Sequence, residues 1–258
     1  MIEHIFDHRY VRDRLDWRGG PVVACNGNMA AHPDPEPAQH TFVFADLAGF
    51  TALTEVHGDR QAAELAAEFS AIVAPALPRY GAEQVKTIGD ALMLRTGDPS
   101  AAVDLGLLIV SDLLARHGYP AVRIGMHHGP AVRSGDDWFG GTVNLAARIA
   151  ALASGGEVLL SEAVRARARH SEEVVFEHRG QQRLKNVTEP VTVYAAYRHV
   201  ASPIAWRTDP VCRMELHPAL SAQHISHGGT VYHFCSAECA TRFAATPENY
   251  TAPAGEHR

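Results

Sequence analysis

An α+β fold, with helices covering one mixed sheet and a small cysteine-containing module after it, is what this chain of 258 residues predicts. Three observations carry that expectation. Strand and helix patterns follow in the order β-α-α-β-β-α-β-α-β, which is no regular βαβ repeat. Hydrophobic residues make up 46% and charged residues 20%, an ordinary globular balance with enough length for a real core. Three of the four cysteines, Cys212, Cys235 and Cys239, crowd the C-terminal end.

Residues 1–40 carry no readable element and end in A-H-P-D-P-E-P-A, whose alternating prolines predict an extended linker. Cys25 lies alone in that segment and reads as incidental. T-F-V-F-A-D (41–46) is β-rich and ends on an acid, and L-A-G-F-T then turns into a helix. From Asp59 to Leu77, apolar residues including Ala62, Leu65, Phe69, Ile72 and Val73 recur at helical spacing. Q-V-K-T-I-G-D-A-L-M-L-R (84–95) predicts two short strands about a turn at Gly89.

A second amphipathic helix is predicted over 99–116, and A-V-R-I-G-M-H-H-G (121–129) reads as a strand. After a polar turn, a helix follows through residues 143–152 and stops before Gly155-Gly156. E-V-L-L-S, a short helix and strands near 173–178 and 191–197 complete the first domain. The predicted boundaries are therefore 41–200 for the large domain, 201–208 for a linker and 209–252 for the cysteine module.

A formal net charge of −6 argues against a broad nucleic-acid surface. The most apolar run, residues 101–115, contains Asp104 and Asp112, so no membrane span is expected. The N-terminus lacks a basic start followed by an apolar stretch, and clustered cysteines are not a disulfide framework. The cytoplasm is the expected compartment.

Asp46 at a strand end and Asp90 in a hairpin turn can grip a divalent cation between adjacent strands. Magnesium suits such a pair, because it takes few protein carboxylates and completes its shell with water and phosphate oxygens. The A-G-F-T turn adds helix-start N–H groups that favour a phosphate. Taken singly, each aspartate is better explained as a turn or cap residue than as a metal ligand. Asn144 and Arg148 stand four apart on one helix, about 40° apart around its axis. They present an amide and a guanidinium together beside an apolar stripe, a pairing suited to a ribose and a phosphoryl group.

F-A-D-L-A-G-F-T, V-K-T-I-G-D-A-L-M and D-W-F-G-G-T-V-N-L-A-A-R together resemble the three signature blocks of class III nucleotide cyclases. That resemblance implies a ferredoxin-like catalytic domain converting ATP to cyclic AMP and pyrophosphate. It implies that Asp46, Asp90 and the Leu47 carbonyl hold two Mg²⁺ or Mn²⁺ ions, with Gly49, Phe50 and Thr51 at the phosphates. Lys86 and Asp137 would read the purine, with Lys86 donating to adenine N1 and Asp137 accepting from the exocyclic amine. Guanine mismatches both pairings. Asn144 would orient the ribose, Arg148 would stabilise the pentavalent phosphorus, and Lys185 would bind phosphate. In that family the metal aspartates and the purine readers come from different protomers, so a head-to-tail homodimer is implied. Trp138 and Phe139 read as packing residues at its interface.

Residues 209–250 resemble a YHS-type domain, a small module related to heavy-metal-binding domains. Arg213 stands where the usual pattern has glycine after the first cysteine. Cys212, Cys235 and Cys239 offer three thiolates suited to Zn²⁺ or Cu⁺. The fourth ligand would be His217, His224, His227 or His233, or be absent. The alternative is three reduced thiols without a metal. Such a module could sense metal or redox state, or dock a regulatory partner. Two other functions stay open on sequence alone. One is a metal-handling protein whose cyclase-like domain binds nucleotide or dimerises without turnover, and the other is a guanylate cyclase.

Overall fold

The computed structural model describes residues 38–113, 118–169, 173–199, 206–217, 221 and 223–251. The N-terminal segment, Cys25 and most of the expected linker lie outside the described residues. Seven strands form one sheet: β1 (Gln39–Leu47), β2 (Ala82–Ile88), β3 (Ala91–Thr96), β5 (Val122–Pro130), β8 (Val158–Ser161), β9 (Val174–Gln182) and β10 (Val191–Arg198). Their order is β2-β3-β1-β5-β8-β10-β9, with β5 and β8 parallel and the other neighbours antiparallel. A short strand, β4 (Tyr119–Pro120), and a hairpin, β6 (Val132–Ser134) with β7 (Asp137–Phe139), lie outside it. Sequence predicts only a polar turn at the hairpin, because strands this short have no periodicity to read.

Helices α1 (Phe50–His57), α2 (Asp59–Val73) and α3 (Pro99–Leu108) precede α4 (Gly141–Leu152) and α5 (Glu162–Arg165). The helical pattern predicted to Leu77 changes at Ala74–Tyr80 into a 3₁₀ segment. Pro75 and Pro78 remove the donors an α-helix would need there. The helix predicted over 99–116 changes to π winding at Ile109–Leu113, which keeps Ile109, Val110 and Leu113 against the main core.

Strand β1 explains why the sheet has two dry faces. Val43, Ala45 and Leu47 join the core under α2 and α3, while Phe42 and Phe44 pack with Ala146, Ala147 and Ala150 of α4. That alternation follows the two-residue period of a strand. Gly125 lets α4 sit directly on the sheet: a Cβ there would lie 1.9 Å from the Ala150 nitrogen.

The cysteine module is built from β11 (Arg207–Thr208), β12 (Met214–Leu216), the hairpin β13 (Gln223–His227) with β14 (Thr230–Phe234), α6 (Ala237–Ala245) and α7 (Glu248–Thr251). It is joined to the large domain by backbone pairing. Met214 and Glu215 pair with Pro120 and Tyr119, making β11-β12-β4 one small sheet. A shared core reinforces this joint. Leu53 of α1 and Ala62 of α2 are buried with Val211, Met214, Phe234 and Phe243 of the module. Among the described residues, no helix is long and apolar enough to cross a membrane.

Candidate active site and an adjoining thiol cluster

The strand register brings the two aspartates together. Asp46 pairs with Ala91 of β3, and Asp90 is the residue just before it in the turn after β2. Both are buried, at 2% and 7% exposure, and both line one open cavity of about 220 Å³. Leu47, Gly49, Phe50, Thr51 and Arg123 complete its walls. Burial, with the Asp46 carboxylate beside it, pushes the Asp90 carboxyl up to about 7. Two buried acids facing one cavity form a donor set that a divalent cation satisfies.

Arg123 is the wall residue of this cavity that sequence reading missed. It is the direct cross-strand partner of Asp46 on β5, and its Nε and Nη2 lie 2.7 and 2.5 Å from Asp46 Oδ2. Its only sequence signal is a lone cation inside an apolar strand, which carries no information about register.

Gly49 has a left-handed φ of 76° at the start of α1. A Cβ there would fall 2.5 Å from both Cβ and Cγ of Arg213. The residue that departs from the YHS pattern therefore rests on the turn lining the cavity. Arg213 itself keeps the turn by adopting a φ of 68°.

Lys86 and Asp137 meet each other, with Nζ 2.5 Å from Oδ2. A bulge between Gln84 and Lys86 shifts the register of β2 against β3, and such an extra residue re-aims a side chain. Asp137 also caps its own hairpin by accepting from the Trp138 N–H at 2.8 Å. Asn144 is exposed and Arg148 half-buried on α4, while Lys185 is exposed in a turn before β10. None of these five lines the cavity of their own chain. Trp138 packs within its own chain, 4.5 Å from the His40 ring, 5.9 Å from Phe42 and 4.9 Å from the Arg95 guanidinium carbon. Phe139 is exposed.

His127 and His128 of β5 are held by hydrogen-bonding partners on neighbouring strands. His127 Nδ1 lies 2.7 Å from Ser161 Oγ, and His128 Nδ1 lies 2.9 Å from Thr41 Oγ1.

The three C-terminal cysteines converge. Cys212 Sγ is 3.4 Å from Cys235 Sγ, which is 3.6 Å from Cys239 Sγ. The histidines expected to complete this set do not reach it. His233 pairs with Ser221 Oγ at 3.3 Å and faces His224, His227 packs on Phe243, and His217 packs on Trp206. Instead His57, at the end of α1, puts Nε2 3.8 Å from Cys235 Sγ. All four ligand atoms lie within 4.8 Å of one another. Asp209, fully buried, braces the cluster by accepting from the N–H groups of Val211 and Cys235 at 2.8 Å and Cys212 at 3.4 Å. The Cys212 and Cys235 thiols hydrogen-bond to Cys239 and lower its pKa, so one thiolate is stabilised among the three.

Comparison with known proteins agrees with this architecture. The family described as the adenylate and guanylate cyclase catalytic domain matches residues 35–196, and the YHS domain family matches residues 207–254. A pH-sensitive adenylate cyclase of Mycobacterium tuberculosis is 34% identical over 180 residues, covering 69% of this chain and 45% of the relative. An adenylate cyclase of Streptomyces coelicolor is 31% identical over 149 residues, covering 57% of this chain and 39% of the relative. The chain thus spans less than half the length of these curated relatives. A copper-transporting P-type ATPase of Rhizobium leguminosarum is 50% identical over 42 residues, 16% of this chain and 5% of that protein. Among solved structures, an adenylate/guanylate cyclase/hydrolase from Silicibacter pomeroyi is 27% identical with a TM-score of 0.55, covering 64% of this chain and 99% of that one. An adenylate cyclase from Trypanosoma brucei shares the fold at 23% identity and a TM-score of 0.57, covering 67% of this chain and 94% of that one. With its buried acid pair at the end of β1 and its thiol cluster in the following module, the chain belongs to the class III adenylate and guanylate cyclase catalytic domain family and continues into a YHS domain.

Proposed function

We propose that this chain is an adenylate cyclase, forming 3′,5′-cyclic AMP and pyrophosphate from ATP at sites shared between two head-to-tail copies. The observation that carries the reading is the convergence of buried Asp46 and Asp90 on one open cavity. At about 220 Å³ that cavity is smaller than the roughly 300–1,000 Å³ typical of pockets for drug-sized ligands. It suits the phosphate end of a nucleotide. The residues suited to the other end, Lys86, Asp137, Asn144 and Arg148, lie elsewhere on the surface, where a second copy can present them.

Asp46 and Asp90, with the Leu47 carbonyl, would hold two Mg²⁺ or Mn²⁺ ions, which supply charge to acidify the ribose 3′-hydroxyl and offset the triphosphate. Gly49, Phe50 and Thr51 orient the phosphates at the start of α1. Arg123 neutralises part of the charge on Asp46, limiting its repulsion of Asp90. Across the interface, Lys86 donates to adenine N1 and Asp137 accepts from the 6-amino group. Their mutual ion pair holds both in register before a purine arrives. Asn144 orients the ribose while the 3′-oxygen attacks the α-phosphorus in line. Arg148 stabilises the charge on the pentavalent phosphorus, with Lys185 as a further phosphate contact.

Purified full-length protein with ATP and Mg²⁺ or Mn²⁺ should yield cyclic AMP. Asp90→Ala should reduce the rate by roughly a hundredfold or more, on the scale of losing a main electrostatic contribution, roughly 10²–10³. Folded, dimeric protein that makes no cyclic nucleotide with either metal overturns the proposal. Faster turnover of GTP than of ATP overturns its purine assignment.

A further inference from the structure

We propose that His57 of the cyclase domain completes a tetrahedral Zn²⁺ site with Cys212, Cys235 and Cys239, clamping the YHS domain to the helix that lines the nucleotide cavity. Three sulfurs in this domain are expected from its sequence. A ligand supplied by the neighbouring domain is not, since 178 residues separate His57 from Cys235.

The geometry fits the ion. Zinc–sulfur bonds of about 2.3 Å and zinc–nitrogen bonds of about 2.0–2.1 Å give tetrahedron edges of about 3.8 Å between sulfurs and about 3.6 Å between sulfur and nitrogen. The observed separations are 3.4 and 3.6 Å between sulfurs and 3.8 Å from Cys235 Sγ to His57 Nε2. Cys212 and Cys239 are fully buried, while Cys235 and His57 are half-buried, which leaves an entry path. Three thiolates and one imidazole form a closed structural zinc set.

Two separate routes run from this cluster to the cavity. His57 ends α1, and Phe50 and Thr51 at its start line the cavity, about 10 Å away at about 1.5 Å per residue. Cys212 is followed by Arg213, whose side chain lies against Gly49 of the same wall. An ion fixing both His57 and Cys212 therefore sets the position of the phosphate turn from both sides. This coupling rests on the cavity being the nucleotide site, whereas the metal site does not.

The experiment uses full-length reduced protein stripped of metal and titrated with Co²⁺, then with competing Zn²⁺. Thiolate-to-cobalt absorption reports the cysteine cluster and not the carboxylate pair. Wild type should bind one such ion per chain with an intense tetrahedral ligand-field spectrum. His57→Ala should weaken Zn²⁺ binding at least tenfold and alter that spectrum. His57→Cys should restore tight binding with stronger charge-transfer absorption, which also controls for folding. Wild type without thiolate–metal absorption overturns the site. A His57→Ala variant matching wild type in both affinity and spectrum overturns the role of His57, as does Cu⁺ bound by the three sulfurs with no change on losing His57. Zn²⁺ loading should also shift the Kd of a fluorescent, non-hydrolysable ATP analogue at least threefold in wild type. An unchanged Kd with the zinc site intact overturns the coupling alone. Because these readouts are binding measurements, they stand whether or not the protein turns ATP over.

Discussion

His127 shows how a side chain outside the cavity can set the protein's response to acid. Burial, first among its causes, lowers the pKa of His127 from 6.5 to about 4. The unfolded chain therefore takes up the proton near pH 6.5, while the folded chain resists until about pH 4. Between those values the unfolded state binds more protons, so stability falls as pH falls and levels off below about pH 4. At about 1.4 kcal/mol per pKa unit the loss from this group is at most about 3–4 kcal/mol. His127→Gln, which can still bond to Ser161, should flatten the slope of urea-unfolding free energy against pH across that window. An unchanged slope would assign the acid sensitivity elsewhere. Among single residues, Asp46 and Asp90 were legible in the sequence because an acid ending a strand and a Gly-Asp turn are local signals. Arg123, Asp209 and His57 were not. Their roles come from cross-strand register, from three backbone donors closing on one carboxylate, and from the docking of two distant segments.

The elements most legible in the sequence were β1, the hairpin about Gly89 and α4, together with β8, a short apolar run after the Gly155-Gly156 turn. The joints between them were not, and the turn before α1 is the clearest case. Gly49 and Arg213 both have left-handed backbones and touch each other. For a non-glycine residue that conformation costs about 1–2 kcal/mol. Arg213→Gly should therefore raise unfolding free energy by roughly 1 kcal/mol. Gly49→Ala should lower it by on the order of 2 kcal/mol, combining backbone strain with the clash on Arg213. Because the clash requires both side chains, the double variant should lose less than the sum of the single effects predicts. Strict additivity in denaturant melts would mean that the two residues do not meet in solution.

For the whole molecule, the question is where a second copy would sit. Val132 and Phe139 are cross-strand partners on the β6–β7 hairpin, and they are 65% and 53% exposed. The same hairpin carries Asp137, paired with Lys86. A pair of apolar side chains beside the proposed purine-reading pair is what a shared site would bury. Val132→Glu should shift the protein toward monomer in sedimentation and reduce cyclase activity at least tenfold at low protein concentration. Recovery at high concentration would mark the defect as one of association. A fully dimeric Val132→Glu protein would place the interface elsewhere.

The strand pairing between β4 and β12 also has a consequence for how the chain is made. The last strand of the large sheet, β10, ends at Arg198, before any of the module that covers Leu53 and Ala62 exists. During synthesis the cyclase domain would close with that apolar face and the edge of β4 bare, until the module emerges to cover them. Such transiently exposed surface is where nascent chains aggregate or recruit chaperones. The module thus completes the domain that precedes it, and a chain cut after Arg198 should be more prone to self-association than one that carries the module.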